Sequence, residues 1–242
     1  MGMKFIRFFA EKYYHNLGQP EPTKNKLPDW YRKSESTYFE DDGEEVAGLK
    51  KCAPFLDSLL SGYVLTTPVN IYINEEQDTT GLGHLFGDPE NNLRIRWDGP
   101  PSLENFIMER SEKSGKNMPR PAGHYSNHLV FKEFWSIKTP RGWSLLMMPP
   151  LNRHDLPFTV ASGIIDSDKW FAPGNLPFFV KKGFSGMIPE GTPFAQIIPI
   201  KRASWKMVID KGLEETDLKQ GSFIKQPGFS YKKSMWQRKK YD

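Results

Sequence analysis

Two carboxylates one residue apart close an apolar run: Gly163, Ile164, Ile165, Asp166, Ser167 and Asp168. A strand that stops at paired acids is a good place to hold a metal or a water. A carboxylate at the edge of a core needs donors or positive charge around it. Further along, Glu190, Gly191, Thr192 and Pro193 form a turn feeding the apolar run Phe194, Ala195, Gln196, Ile197 and Ile198. An unpaired buried amide costs on the order of 1–3 kcal/mol. Gln196 therefore reads as an interior hydrogen-bonding group, with the backbone near the 163–168 strand end as its expected partner.

Other residues offer weaker chemistry. His124 and His128 are four apart, but Gly123 and a loop-like neighbourhood argue against a shared helical face. On a strand that spacing separates them by roughly 13 Å, too far for one ion. No His-x-His or His-x-Asp pair accompanies them, so no protein-ligated metal is expected. Arg153 and His154 lie in a Pro-bounded loop at 149–155. Cys52 is the single cysteine; it has no paired base in sequence and reads as a small buried residue. The last stretch carries Lys225, Lys232, Lys233, Arg238, Lys239 and Lys240 interleaved with Tyr231, Trp236 and Tyr241. Aromatic and basic residues together can bind single-stranded nucleic acid. No second basic cluster supports that, so the tail reads as an arm docking on a neighbouring subunit.

The elements that must hold these groups are β-strands. In 242 residues there are 20 Gly and 20 Pro, with 14% aromatic residues. That composition breaks long helices and builds a core from rings. Strands are expected over 3–9, 63–67, 69–74, 93–97, two across 129–148 with a turn at 139–142, then 158–165, 176–180 and 194–200, with 205–209 closing the sheet. One short helix fits 51–60, opened by Pro54. Residues 27–32 read as a turn, 40–45 as a solvated acidic loop and 99–127 as a long loop. Net charge is +4. One cysteine excludes an internal disulfide and a multi-Cys zinc site. No apolar stretch is long enough to span a membrane and no leader is evident, so an intracellular, cytoplasmic setting is expected.

Taken in order, 137–200 resembles the dUTPase-like β-clip fold of trimeric dUTPases and dCTP deaminases. The carrying pieces are the Pro140-Arg141-Gly142 turn, the Gly-Ile-Ile-Asp-Ser-Asp run at 163–168 and the Phe-Ala-Gln-Ile-Ile run at 194–198. Lys169 and Trp170 stand where the family has Tyr, and Arg153 follows Pro149-Pro150-Leu151-Asn152 where the family has Pro-Arg-Ser. The resemblance implies Asp166 and Asp168 as the catalytic acids. It implies Arg153, Gln196 and Phe229 as substrate contacts, Phe229 stacking on a base, and Mg2+ neutralising phosphate charge. The whole chain also resembles a tailed-phage protein family of similar length, which implies a phage-infected host cell.

The expected fold is thus mainly β. A β-clip-like core at about 130–210 lies within a domain at 48–210. An N-terminal extension occupies 1–47 and a basic C-terminal arm 211–242. The resemblance implies nucleotide handling, by phosphate hydrolysis or by binding, in a homo-oligomer, most simply a trimer. The alternatives are a non-catalytic oligomeric scaffold, a nucleotide-signal sponge or a virion or assembly component.

Overall fold

The computed structural model describes residues 4–74, 82–86, 93–111, 113, 118–209 and 231–242. Its strands in chain order are β1 (Arg7–Phe9), β2 (Glu21–Pro22), β3 (Thr37–Phe39), β4 (Glu45–Ala47), β5 (Tyr63–Thr66) and β6 (Ile71–Ile73). Then come β7 (Leu82–Phe86), β8 (Leu93–Trp97), β9 (Ile107–Glu109), β10 (Leu129–Lys132), β11 (Ser136–Lys138) and β12 (Trp143–Met148). The last are β13 (Phe158–Val160), β14 (Gly163–Ile165), β15 (Asn175–Val180), β16 (Gly186–Ile188) and β17 (Pro193–Lys201). Helices are short: α1 (Asp29–Lys33), α2 (Ala53–Leu60) and α3 (Tyr231–Ser234). The chain is mainly β, as its composition requires.

Three antiparallel sheets enclose the core, in orders β14-β12-β17-β5-β2, β13-β15-β10-β9 and β16-β6-β8-β7; β1 pairs with β11 and β3 with β4. β17 is the central strand of the first sheet, and its residues from Pro193 to Ile197 are all buried. A strand covered on both faces reads as a continuous apolar run, whereas a half-buried strand alternates. β8 is the alternating kind, with Leu93, Ile95 and Trp97 buried and Arg94 exposed.

Aromatic rings fill the space between sheets. Phe194 stacks on Phe131 at 4.0 Å and on Phe158 at 4.9 Å between centroids. Phe106 meets Phe131 edge-on at 4.6 Å, and Trp97 donates its indole N–H to the Leu103 carbonyl at 2.9 Å. The N-terminal residues pack on this core: Tyr14 stacks on Phe134 at 4.5 Å, and the Trp135 indole donates to the Leu17 carbonyl at 2.9 Å.

Several sequence expectations are corrected. The run 158–165 is two strands in different sheets, because β13 pairs with β15 while β14 pairs with the β12 edge. The span 129–148 holds three strands, because the chain leaves β10 at Glu133 to pair β11 with β1. The 99–127 loop contains β9, paired with β10. Residues 27–32 include most of the helix α1; the acidic run is solvent-exposed, as expected, and forms the turn of the β3–β4 hairpin. Residues 205–209 are exposed and outside any strand. Cys52 is exposed, not buried, at the entry to α2.

Candidate functional site

The acids sit where β14 ends and the chain turns. The Ser167 amide donates to the Ile165 carbonyl at 2.9 Å, and the Lys169 and Trp170 amides donate to the Asp166 carbonyl at 2.9 and 3.0 Å. β14 is an exposed edge strand: Ile164 is 66% exposed and the Asp166 side chain 53%. The expectation of a buried strand ending in a partly buried acid does not hold, since nothing among the described residues covers the outer side of β14.

β14 runs antiparallel to β12 with Leu145 opposite Ile165, which brings Asp166 beside Ser144. The Ser144 hydroxyl donates to Asp166 Oδ1 at 2.7 Å. Arg202, one residue beyond β17, reaches the same point. Its Nη1 lies 3.1 Å from Asp166 Oδ1, 2.9 Å from Asp168 Oδ1 and 3.0 Å from Ser144 Oγ, while Nη2 donates to Asp168 Oδ2. The amide of Gly142, held at a φ of +83° in the β11–β12 turn, donates to Asp168 Oδ2 at 2.8 Å. A residue with a Cβ is disfavoured at that φ, so the turn that aims this donor depends on glycine.

Both carboxylates are held ionised. The Arg202 bonds, with the Gly142 amide, bring the Asp168 carboxyl down to about 2. The Ser144 hydroxyl and the Arg202 charge hold Asp166 below its ordinary value. A general base works best with a pKa near the working pH. Asp166 is therefore built to accept hydrogen bonds and a poor fit for taking a proton at neutral pH.

The other expected site residues do not join this cluster. Gln196 is buried, but its partners are at the other end of β12, where it pairs with Met148. Its Oε1 accepts from the Leu151 amide at 2.8 Å, and its Nε2 donates to the Ser58 and Ser61 carbonyls at 3.0 and 2.7 Å. It thus satisfies carbonyls at the C-terminal end of α2, which helices otherwise leave open. Ser144 and Met148 are four strand residues apart, roughly 13 Å.

Arg153 pairs with Asp155, Nε to Oδ1 at 2.9 Å and Nη2 to Oδ2 at 2.9 Å. With Gln196 and Lys26 it lines a shallow depression with room for about one water molecule. Phe229 lies outside the described residues. His124 bonds the Ala122 carbonyl and the Thr159 hydroxyl, each at 3.0 Å, and His128 packs against Phe179 at 5.5 Å. The end of the basic arm docks on its own chain: the Trp236 indole and Lys239 both donate to Asp57, and Tyr241 packs on Tyr63 at 5.9 Å.

Arg202 and Ser144 escaped the sequence reading. The available signal was the pair of cations, Lys201 and Arg202, that follows the apolar run of β17. Among the described residues, no group of three or more His, Cys, Asp or Glu could hold a metal ion. The two acids do not fit a protein-held Mg2+, since the Arg202 guanidinium already takes the position a cation would occupy between them. No helix among the described residues is long and apolar enough to cross a membrane.

No family model matches the chain, and no curated protein matches it. Among solved structures, a mutant dUTPase from phage phi11 of S. aureus is similar at 12% identity, over 46% of this chain and all of that one. That dUTPase mutant coordinates a structural Mg(II) ion. The TM-score is 0.26, too low for residue correspondences to be carried across.

Proposed function

We propose that the exposed face bearing Asp166 and Arg202 binds a nucleotide. Asp166 accepts a hydrogen bond from a sugar hydroxyl, and the part-exposed guanidinium of Arg202 attracts phosphate, the task the sequence reading gave to Arg153. The observation that supports this most directly is the Ser144–Asp166–Arg202–Asp168 network, a preorganised anion and cation side by side on an open surface. The run at 163–168 that resembles the nucleotide-handling β-clip proteins falls on this same spot. Binding is favoured over phosphate hydrolysis because the lowered Asp166 carboxyl is a weak proton acceptor. Under this reading 48–210 is the working domain, with 1–47 and 211–242 appended. Any Mg2+ arrives bound to the phosphates, not to the acids of this chain.

The test is a thermal-shift panel of nucleoside di- and triphosphates, with and without Mg2+, since a ligand raises apparent stability by mass action. At least one nucleotide is expected to raise the Tm of the wild type, with the shift lost in Asp166→Asn. A flat wild-type panel would overturn the reading.

A second reading, an oligomeric scaffold or phage assembly component, is favoured by a different observation. Trp205 is 91%, Met207 84% and Ile209 82% exposed, in a segment outside any strand, and Ile164 is exposed on the β14 edge. Apolar groups this exposed mark interaction surfaces. A homo-oligomer, in keeping with the resemblance a trimer, would cover them. Sedimentation as a monomer at micromolar concentration counts against it.

A further inference from the structure

Behind the first sheet lies a cavity that the nucleotide reading does not use. It is an open-mouthed hollow lined by Trp135, Ile137, Leu145, Met147, Trp170 and Phe171, with Glu133 among its other walls; Trp170 and Phe171 stand at its solvent-exposed rim. Leu145, Met147 and Ile165 reach it from the face of β12 and β14 opposite the one that carries Ser144 and Asp166.

Glu133 is the unusual wall. The chain crosses here from β10 to β11, and Glu133 is only 5% exposed. Its amide donates to the Gly174 carbonyl at 2.9 Å, fixing the backbone against the opposite wall. Its Oε1 accepts from the amides of Phe134 and Trp135, each at 2.9 Å. Among the described residues both of its side-chain hydrogen bonds go to Oε1 and no cation pairs with the carboxyl, while Oε2 is not sealed away from solvent. The neighbouring Lys132 is exposed, and Lys138 lies 4.7 Å over the Phe171 ring instead.

A buried carboxylate without a counter-charge is costly, and a cation relieves that cost. Aromatic faces attract the same kind of ligand through their quadrupoles, most strongly when water is excluded. An apolar, aromatic-walled hollow with a buried carboxylate in its lining therefore selects a ligand with a flat apolar body and a protonated nitrogen.

We infer that this cavity is a binding site for a compact organic cation, an amine or amidine on an apolar body, whose N–H groups bond Glu133 Oε2 between Trp135, Trp170 and Phe171. The site stands apart from the nucleotide face, and either can fail without the other. Burial pushes the Glu133 carboxyl up to about 7 against the pull of its two amide donors, so it is largely ionised just above neutrality.

The experiment titrates the full-length protein at pH 8 with benzylamine and with its neutral analogue benzyl alcohol, by calorimetry and by the indole N–H signals of its tryptophans. Benzylamine is expected to bind saturably and to move two indole signals. Individual Trp135→Phe and Trp170→Phe variants assign those signals.

Benzyl alcohol is expected to bind roughly tenfold more weakly or worse, the factor that one charged hydrogen bond supplies. Glu133→Gln should lose that discrimination. Gly174→Leu should weaken both probes, because Gly174 lines the same space as Glu133 and a Cβ there meets nothing within 4 Å, leaving room for added bulk. If Glu133→Gln does not fold, the preference for charge in the wild type and the Gly174→Leu result decide. Absence of saturable benzylamine binding, equal binding of the two probes, or unchanged binding in Gly174→Leu would each overturn the inference.

Discussion

Arg202 closes over Asp168 from both sides of its guanidinium: Nη1 lies 2.9 Å from Oδ1, and Nη2 donates to Oδ2. The Asp168 side chain is only 5% exposed beneath it, whereas Asp166 next to it stays half open. One acid is thereby structural and the other available.

The pairing has a pH signature. The Asp168 carboxyl is held at about 2, below its ordinary 3.8. A depressed carboxyl adds stability that is present above its unfolded value and lost as pH falls through its folded value. Arg202→Gln should therefore unfold at a lower Tm than wild type near pH 6, and the gap should close between pH 4 and pH 2. A gap that stays constant across that window would mean the pair contributes nothing to folding.

Glu133 works in the opposite direction. Its carboxyl is raised from 4.5 to about 7 in the folded chain, so the unfolded chain ionises first. The stability it allows is fully present below the unfolded value and falls as pH rises through the folded one. The fall is on the order of 3 kcal/mol. Glu133→Gln keeps the acceptor for the Phe134 and Trp135 amides and removes the charge. Its Tm should exceed that of wild type at pH 8 and match it near pH 4. Denaturant titrations of both proteins at the two pH values measure this directly.

Gln196→Leu should strand one amide and leave two carbonyls short of a donor, at Leu151, Ser58 and Ser61. An unsatisfied buried group costs about 1–3 kcal/mol. Urea unfolding should show a loss at least that large with no change at the Asp166 face. A change near zero would mean water replaces the amide.

Phe194 is 1% exposed and joins the first sheet to the second through Phe131, Phe158 and Phe178. Phe194→Ala should cost about 3–5 kcal/mol, the range for emptying an aromatic site in a core. Gly62→Ala should also destabilise, for a backbone reason: φ is +75°, and a Cβ would lie 1.9 Å from the Ile197 carbonyl oxygen. Equilibrium unfolding of the two variants separates a cavity from a clash, since Phe194→Leu should recover part of the first loss and no side chain should rescue the second.

Local chemistry was enough to place the strands with clear patterns. The alternation at 93–97 and the continuous apolar run at 194–198 each follow from how many faces of a strand are covered, and both are legible in a few residues. The Pro140-Arg141-Gly142 turn and the helix opened by Pro54 were legible for the same reason, because proline and glycine restrict their own backbone. Asp166 was recognisable as an acid at the end of a strand, and Gln196 as an amide that needed partners.

What those groups touch was decided only by the tertiary structure. Asp166 meets Arg202 and Ser144 because β12 lies between β14 and β17, and no local pattern states the order of strands in a sheet. The break at 161–162 sends β13 and β14 to different sheets, so an apparently single strand became an exposed edge. Gln196 found its partners in α2 and at Leu151, and Arg153 found Asp155, because closing the chain makes neighbours of residues that are distant in sequence. Glu133 was unremarkable among Phe131, Lys132, Phe134 and Trp135. Its isolation follows from the packing around it, which leaves it 5% exposed, since desolvation is a property of the packed surroundings.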